Sequence, residues 1–90
     1  MTKLHDLTRQ AVSAAVARLL REERERQGLS MSMVAERAGI SQQMVSYVER
    51  ELRKPTLDTL LRMAHALGIE LPTLIGRANT EGIRSSKKLN

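Results

Sequence analysis

The sequence predicts an all-α fold: five helices, compact around one aliphatic core, with an extended first helix. Three observations carry that prediction. Hydrophobic residues make up 41% of the chain and aromatics only 1%, so the core must be built from Leu, Val, Ile, Met and Ala, a mix that favours helices. Apolar residues recur at the three- and four-residue spacing of a single helical face. Between these stripes stand Ser or Thr residues that can cap a helix start and Gly residues that can end one.

Ninety residues make one small domain, with room for a modest core but not for a second, ligand-sensing unit. The absence of cysteine rules out disulfide staples and thiolate metal sites and suits a reducing cytoplasm. The opening MTKLHDLTRQ has no apolar run, and no span of about 18 apolar residues occurs, so a cytoplasmic protein is expected and membrane insertion is not. A net charge of +5 and a pI near 10.5 make a polyanion the natural partner.

In chain order, residues 1–5 are expected to fray, with helix one starting at Asp6 or Thr8 and running to about Gln27. Val12, Val16, Leu19 and Leu20 form its inward stripe, and LLREERERQ sets Arg18 over Glu22, Arg21 over Glu25 and Glu22 over Arg26 on an exposed face. A second apolar side, Leu4, Leu7, Ala11 and Ala14, could face another copy of the chain, alone or with Leu74, Ile75 and the end of helix five, or pack on the chain's own helix five. Gly28 ends the helix. Ser30 caps helix two, whose Val34, Ala35 and Ala38 point inward, and Gly39 ends it in the left-handed conformation with Ile40 as the apolar follower. Ser41 caps helix three, residues 42–50, which buries Val45 and Val48 and leaves Gln42, Gln43, Ser46 and Tyr47 outward. The segment from Arg50 to Pro55 carries three positive charges and reads as a surface loop, with Pro55 preventing helix three from continuing. Thr56 caps helix four, Leu57 to Leu67, with Leu57, Leu60, Leu61, Ala64 and Leu67 inward and Gly68 closing it. Pro72 fits the first turn of helix five, about Leu71 to Arg77, which can bury Leu74 and Ile75. The sequence thus divides into a domain, 1–77, and a polar, basic, aperiodic tail, 78–90, expected to be flexible.

Met31 to Glu49 is the stretch the rest holds up. Counted from Met31, the small Ala35 is fifth, Gly39 ninth and Val45 fifteenth, the pattern of a helix-turn-helix. Two helices crossing steeply over a short turn come close at Ala35, hinge at Gly39 and wedge a branched side chain at Val45. With its flanks, QGLSMSMVAERAGISQQMVSYVER followed by KPTLDTLLRMAHALGI, the region from Val16 to Ile75 resembles the Cro/cI-like (XRE) helix-turn-helix family of repressors, which have the lambda-repressor-like fold.

That resemblance implies a partner, double-stranded DNA, with helix three in the major groove. It places base reading at Gln42, Gln43 and Tyr47, with Ser46 touching bases or backbone. Glutamine suits the task because its amide donates to N7 and accepts from N6 of adenine at once, a pairing worth about 1–3 kcal/mol of discrimination. Tyr47 has three possible roles: meeting a thymine methyl, bonding a phosphate, or lying against its own helix. Phosphate anchoring falls to the helix starts behind Ser30, Ser41 and Thr56 and to Arg50, Arg53 and Lys54. The resemblance also implies an ion pair between Arg24 and Glu49, and a homodimer on a roughly palindromic operator. Two positions depart from the family pattern: Met31 stands where glutamine is frequent, and Glu51 where glycine is frequent.

His5 and His65 stand in no metal-ligand spacing, and no phosphate loop, HExxH pattern or nucleophile beside a base occurs, so no catalytic residue, metal or cofactor is expected. A different reading is an antitoxin-type interaction module with autoregulatory DNA binding, for which Ile83 and Leu89 would be the apolar anchors of a partner-binding tail.

Overall fold

The computed structural model describes residues 2–88, with side chains from Asp6 to Ser85. Expectations resting on the Leu4 and His5 side chains, on Leu89 and on Asn90 lie outside the described residues. The five helices are α1 (Thr2–Arg26), α2 (Met31–Ala38), α3 (Gln42–Glu49), α4 (Leu57–Ala66) and α5 (Leu71–Lys88). Among the described residues no helix is long and apolar enough to cross a membrane.

The core forms where the helical stripes converge. Val16, Leu19 and Leu20 of α1 meet Val34, Ala35 and Ala38 of α2, Val45 and Val48 of α3, Met63 and Leu67 at α4, and Leu74 and Ala78 of α5. Aliphatic residues alone fill it, and five of the largest, Leu20, Met63, Val34, Val45 and Val48, are fully buried. Each fully buried side chain of this size is worth about 1.5–3 kcal/mol relative to exposure.

Helices one and five pack antiparallel, since Arg18 pairs with Glu81 and Val12 lies beneath Gly82. Both are longer than expected. Helix α1 starts at Thr2, so Asp6 and Thr8 lie inside it; Asp6 accepts from Arg9 one turn on at 3.1 Å instead of capping. Helix α5 does not stop at Arg77 but continues through Lys88, which corrects the expected tail. The continuation has an inward face after all, made of small residues: Ala78 is fully buried and Gly82 is buried against Val12. Following Leu74 at successive steps of four residues, they extend the stripe without adding hydrophobic bulk. Of the pairs expected along α1, Arg18–Glu22 forms at 3.2 Å, while Arg26 turns to Glu23 instead of Glu22.

In α4 the inner face is Leu60, Met63, Ala64 and Leu67. Leu57 and Leu61, expected inward, point out at 66% and 49% exposure. The i, i+3, i+4, i+7 set starting at Leu60 wins because it puts fully buried Met63 at the centre.

Four helices end by one device. After α1, α2, α3 and α4 the chain takes a left-handed residue whose amide bonds the carbonyl three back, while the next amide bonds the carbonyl five back. At Gly39, with φ 70°, Gly39 N–H donates to Glu36 and Ile40 N–H to Ala35. Gly28 and Gly68 repeat the pattern, but after α3 the left-handed residue is Glu51, at φ 59°. Helix three is therefore ended by Glu51, four residues before Pro55, and the proline is not what stops it.

Candidate nucleic-acid interface

Helices α2 and α3 are each set by a hydroxyl cap. Ser30 Oγ accepts from Met33 N–H at 3.1 Å, and Ser41 Oγ accepts from Met44 N–H at 3.0 Å. Thr56 caps α4 the same way through Thr59 N–H. These caps satisfy one of the amides left without an intrahelical partner at each helix start. Val45, fully buried, and Ala35 lock α3 across α2. Arg62 of α4 props the turn between them: its Nη1 donates to Ala38 O at 3.3 Å, and its Nε is held by Asp58 at 2.8 Å.

The far end of α3 is fixed by an ion pair. Arg24 Nε donates to Glu49 Oε2 at 2.7 Å and Nη2 to Oε1 at 3.0 Å, a two-pronged contact, while Nη1 donates to Leu29 O at 2.8 Å. The Glu49 side chain is 0% exposed and that of Arg24 11%. Hydrogen bonding to Glu49 holds the Arg24 guanidinium above its already high ordinary value, against the opposing effect of burial. Between its caps, its buried valines and this pair, α3 has little freedom to rotate or slide.

That anchoring leaves one face outward. Gln42 and Gln43 are exposed, and Ser46 and Tyr47 are half-buried one turn on. Arg50, Arg53 and Lys54 follow in the loop, all exposed, so cations flank the polar face on the side where α3 ends. Tyr47 lies on its own helix in this structure: Gln43 Nε2–H donates to Tyr47 Oη, and the Arg53 guanidinium sits 5.0 Å over the tyrosine ring. Met31 and Met44 are half-buried against the core, so the thioether at Met31 contributes packing.

Sequence reasoning missed two supports of this surface, the Arg62 prop and the left-handed Glu51 that aims the loop. The first had a faint signal, since Asp58 and Arg62 stand at ion-pair spacing. The second had a signal only through the family resemblance, which has glycine frequent at this position; glutamate itself carries no preference for that conformation. Among the described residues no group of three or more His, Cys, Asp or Glu could hold a metal ion.

Comparison with known proteins agrees with this geometry. A family model described as helix-turn-helix matches residues 20–74. An uncharacterised HTH-type transcriptional regulator of Mycobacterium tuberculosis is 44% identical over 59 residues, 66% of this chain and 42% of that protein, so the match spans less than half of the relative's length. The HTH-type transcriptional regulator y4dJ of Sinorhizobium fredii is 42% identical over 67 residues, covering 74% of this chain and 82% of the relative. Among solved structures, the restriction-modification controller protein C.AhdI of Aeromonas hydrophila superposes with a TM-score of 0.65 at 35% identity, over 70% of this chain and 94% of that one. With its helix pair, its hinge glycine and its locked third helix, the chain belongs to the XRE-type helix-turn-helix family.

Proposed function

We propose that the chain is a sequence-specific regulator of transcription that acts as a repressor in the cytoplasm by laying α3 in the major groove of double-stranded DNA. One observation carries the reading most: a rigidly held helix whose outward residues are amides and hydroxyls, with three exposed cations at its end. A groove lined with base edges and rimmed by phosphates asks for that combination. The names given to the relatives support it. Gln42 and Gln43, with Ser46, read bases. Arg50, Arg53 and Lys54, with the helix starts at Ser30, Ser41 and Thr56, meet phosphates.

A helix of eight residues spans few base pairs, so the operator is a palindrome read by a homodimer, with half-sites about 34 Å apart or a multiple of it. Leu74, 2% exposed, is spent on the core and does not take part in pairing; half-buried Leu7, Ala11 and Ala14 of α1 and exposed Ile83 of α5 are apolar residues on the α1 and α5 side that a second copy can meet. An antitoxin-type role finds less support, because the segment offered as a partner-binding tail packs on α1 at Ala78 and Gly82.

Selection of bound sequences from random duplex DNA tests the reading. A defined, two-fold symmetric sequence is expected. Lys54→Ala should weaken all duplexes alike and lower the log-log salt slope by about one. Enrichment of no sequence would refute specific regulation, and a monomer by light scattering that fills two half-sites without cooperativity would refute the dimer.

A further inference from the structure

We propose that Tyr47 is a positioning residue for Gln43 and that Arg53 fixes Tyr47, so that an arginine placed to grip phosphate also sets the base preference of α3. The inference rests on the reading of α3 as the helix that meets base edges.

Gln43 and Tyr47 are one helical turn apart, and the Gln43 amide donates one N–H to the tyrosine hydroxyl. An exposed glutamine otherwise samples many rotamers, and freezing such a side chain costs about 0.5–1.5 kcal/mol on binding. Here the freezing is done before DNA arrives. The amide has two N–H donors and one carbonyl acceptor, so after the bond to Tyr47 one donor and the acceptor remain. Those two are what the adenine edge requires, a donor for N7 and an acceptor for the N6 amino group.

Tyr47 is itself held from the loop. Its carbonyl accepts from Leu52 N–H at 2.8 Å and from Arg53 N–H at 3.4 Å, and its ring carries the Arg53 guanidinium 5.0 Å above the centroid. A guanidinium held over a ring face by cation–π attraction spends none of its N–H donors on that contact. Arg53 can therefore bond a phosphate and press on Tyr47 together. A lysine in its place would keep the charge but lose the flat face. The chain of contact runs from phosphate to Arg53, to the Tyr47 ring, to the Gln43 amide, to a base.

The test uses the full chain, the duplex selected by the parent protein, and variants of that duplex carrying each base at the position whose preference depends on Gln43. Two quantities are measured separately: the ratio of affinities for the best base over the others, and affinity for an unrelated duplex. Tyr47→Phe, which keeps ring and stack but removes the hydroxyl, should narrow the ratio about 2- to 10-fold and leave the unrelated duplex unchanged. In a Gln43→Ala background the same change should narrow it no further. Arg53→Lys should narrow the ratio at that same position. If Tyr47→Phe leaves the ratio intact, or narrows it additively with Gln43→Ala, the hydroxyl does not act through Gln43 and the proposal is overturned. An unchanged ratio in Arg53→Lys overturns the part assigned to Arg53. Should Gln43→Ala alone leave the selected sequence unchanged, the reading face itself is misassigned and the relay falls with it; a Gln43→Ala effect without a Tyr47→Phe effect removes the relay alone.

Discussion

Glu49→Ala should be among the most damaging single changes in this protein. Three N–H groups of the Arg24 guanidinium meet fixed acceptors, two on Glu49 and one on Leu29 O, and the arginine side chain is 11% exposed. Truncation removes two charge-assisted bonds, each worth about 1.5–3 kcal/mol, and strands a mostly buried cation. Water reaching the guanidinium edge and the surviving bond to Leu29 O recover part, which leaves a net loss of about 3–4 kcal/mol, within the range for breaking a buried pair. For a domain of this size, thermal midpoints shift by about 4–8 °C per kcal/mol, so a fall on the order of 15–25 °C is expected by circular dichroism. The loss should be the same in low and high salt, because a pair this deep is little screened, whereas the exposed Asp6–Arg9 pair would be. Replacing both partners with apolar residues, Arg24→Met with Glu49→Leu, should recover most of the stability. A midpoint within a degree of the parent for Glu49→Ala would refute the pair's structural role.

Three further outcomes follow from geometry. Glu51→Gly should raise stability by about 0.5–1 kcal/mol, since it relieves the cost of a left-handed non-glycine residue less the entropy glycine adds to the unfolded chain; a lower melting midpoint would refute it. Two glycines of the same helix should respond with opposite signs. At Gly76 nothing lies within 4 Å of an added Cβ, so Gly76→Ala should stabilise by about 0.5–1 kcal/mol, whereas at Gly82 the Cβ would stand 2.5 Å from Val12 Cγ2 and 2.7 Å from its Cα, so Gly82→Ala should cost about 1–2 kcal/mol by urea titration. Hydrogen bonds from Arg26, and then Gln27, hold the Glu23 carboxyl below its ordinary value, so this group stabilises the fold above the usual carboxylate range and loses that effect as pH falls through its folded value. The midpoint gap between the parent and Glu23→Gln should therefore close below about pH 4, and a gap constant from pH 7 to 3 would refute the assignment.

The helix-turn-helix was legible because each of its landmarks is a residue with a single strong reason to be there: a capping serine, a small alanine, a hinge glycine, a wedged valine. All four stand in the structure where the spacing put them. The Arg24–Glu49 pair was legible only through the family resemblance, since twenty-five residues separate its members and nothing local links them. The end of α5 was not legible. Hydrophobic periodicity reports bulk, and a helix face made of Ala78 and Gly82 has none, although close approach to Val12 depends on that smallness. The two outward leucines of α4 misled for the opposite reason: bulk was present at Leu57 and Leu61 without burial. At the candidate site, side-chain type marked the outward polar face, but the bond between Gln43 and Tyr47 and the placing of Arg53 over the ring depend on where the loop returns, and Glu51, which turns it, stood out only as a departure from the family's glycine.

The embrace of α1 by α5 also fixes an order of events. Arg24 meets Glu49 across 25 residues, but Arg18 meets Glu81 across 63, so the contact that closes the molecule joins its most distant helices. Helical proteins fold fast when their contacts are local, and here the last one is not. On a ribosome adding about 5–20 residues per second, the side of α1 beneath Gly82 stays open for several seconds after Val12 is made. Once Glu49 has followed, the nascent chain holds a helix-turn-helix that can close on α1 through Arg24, beside an apolar flank left for the later α5 to cover.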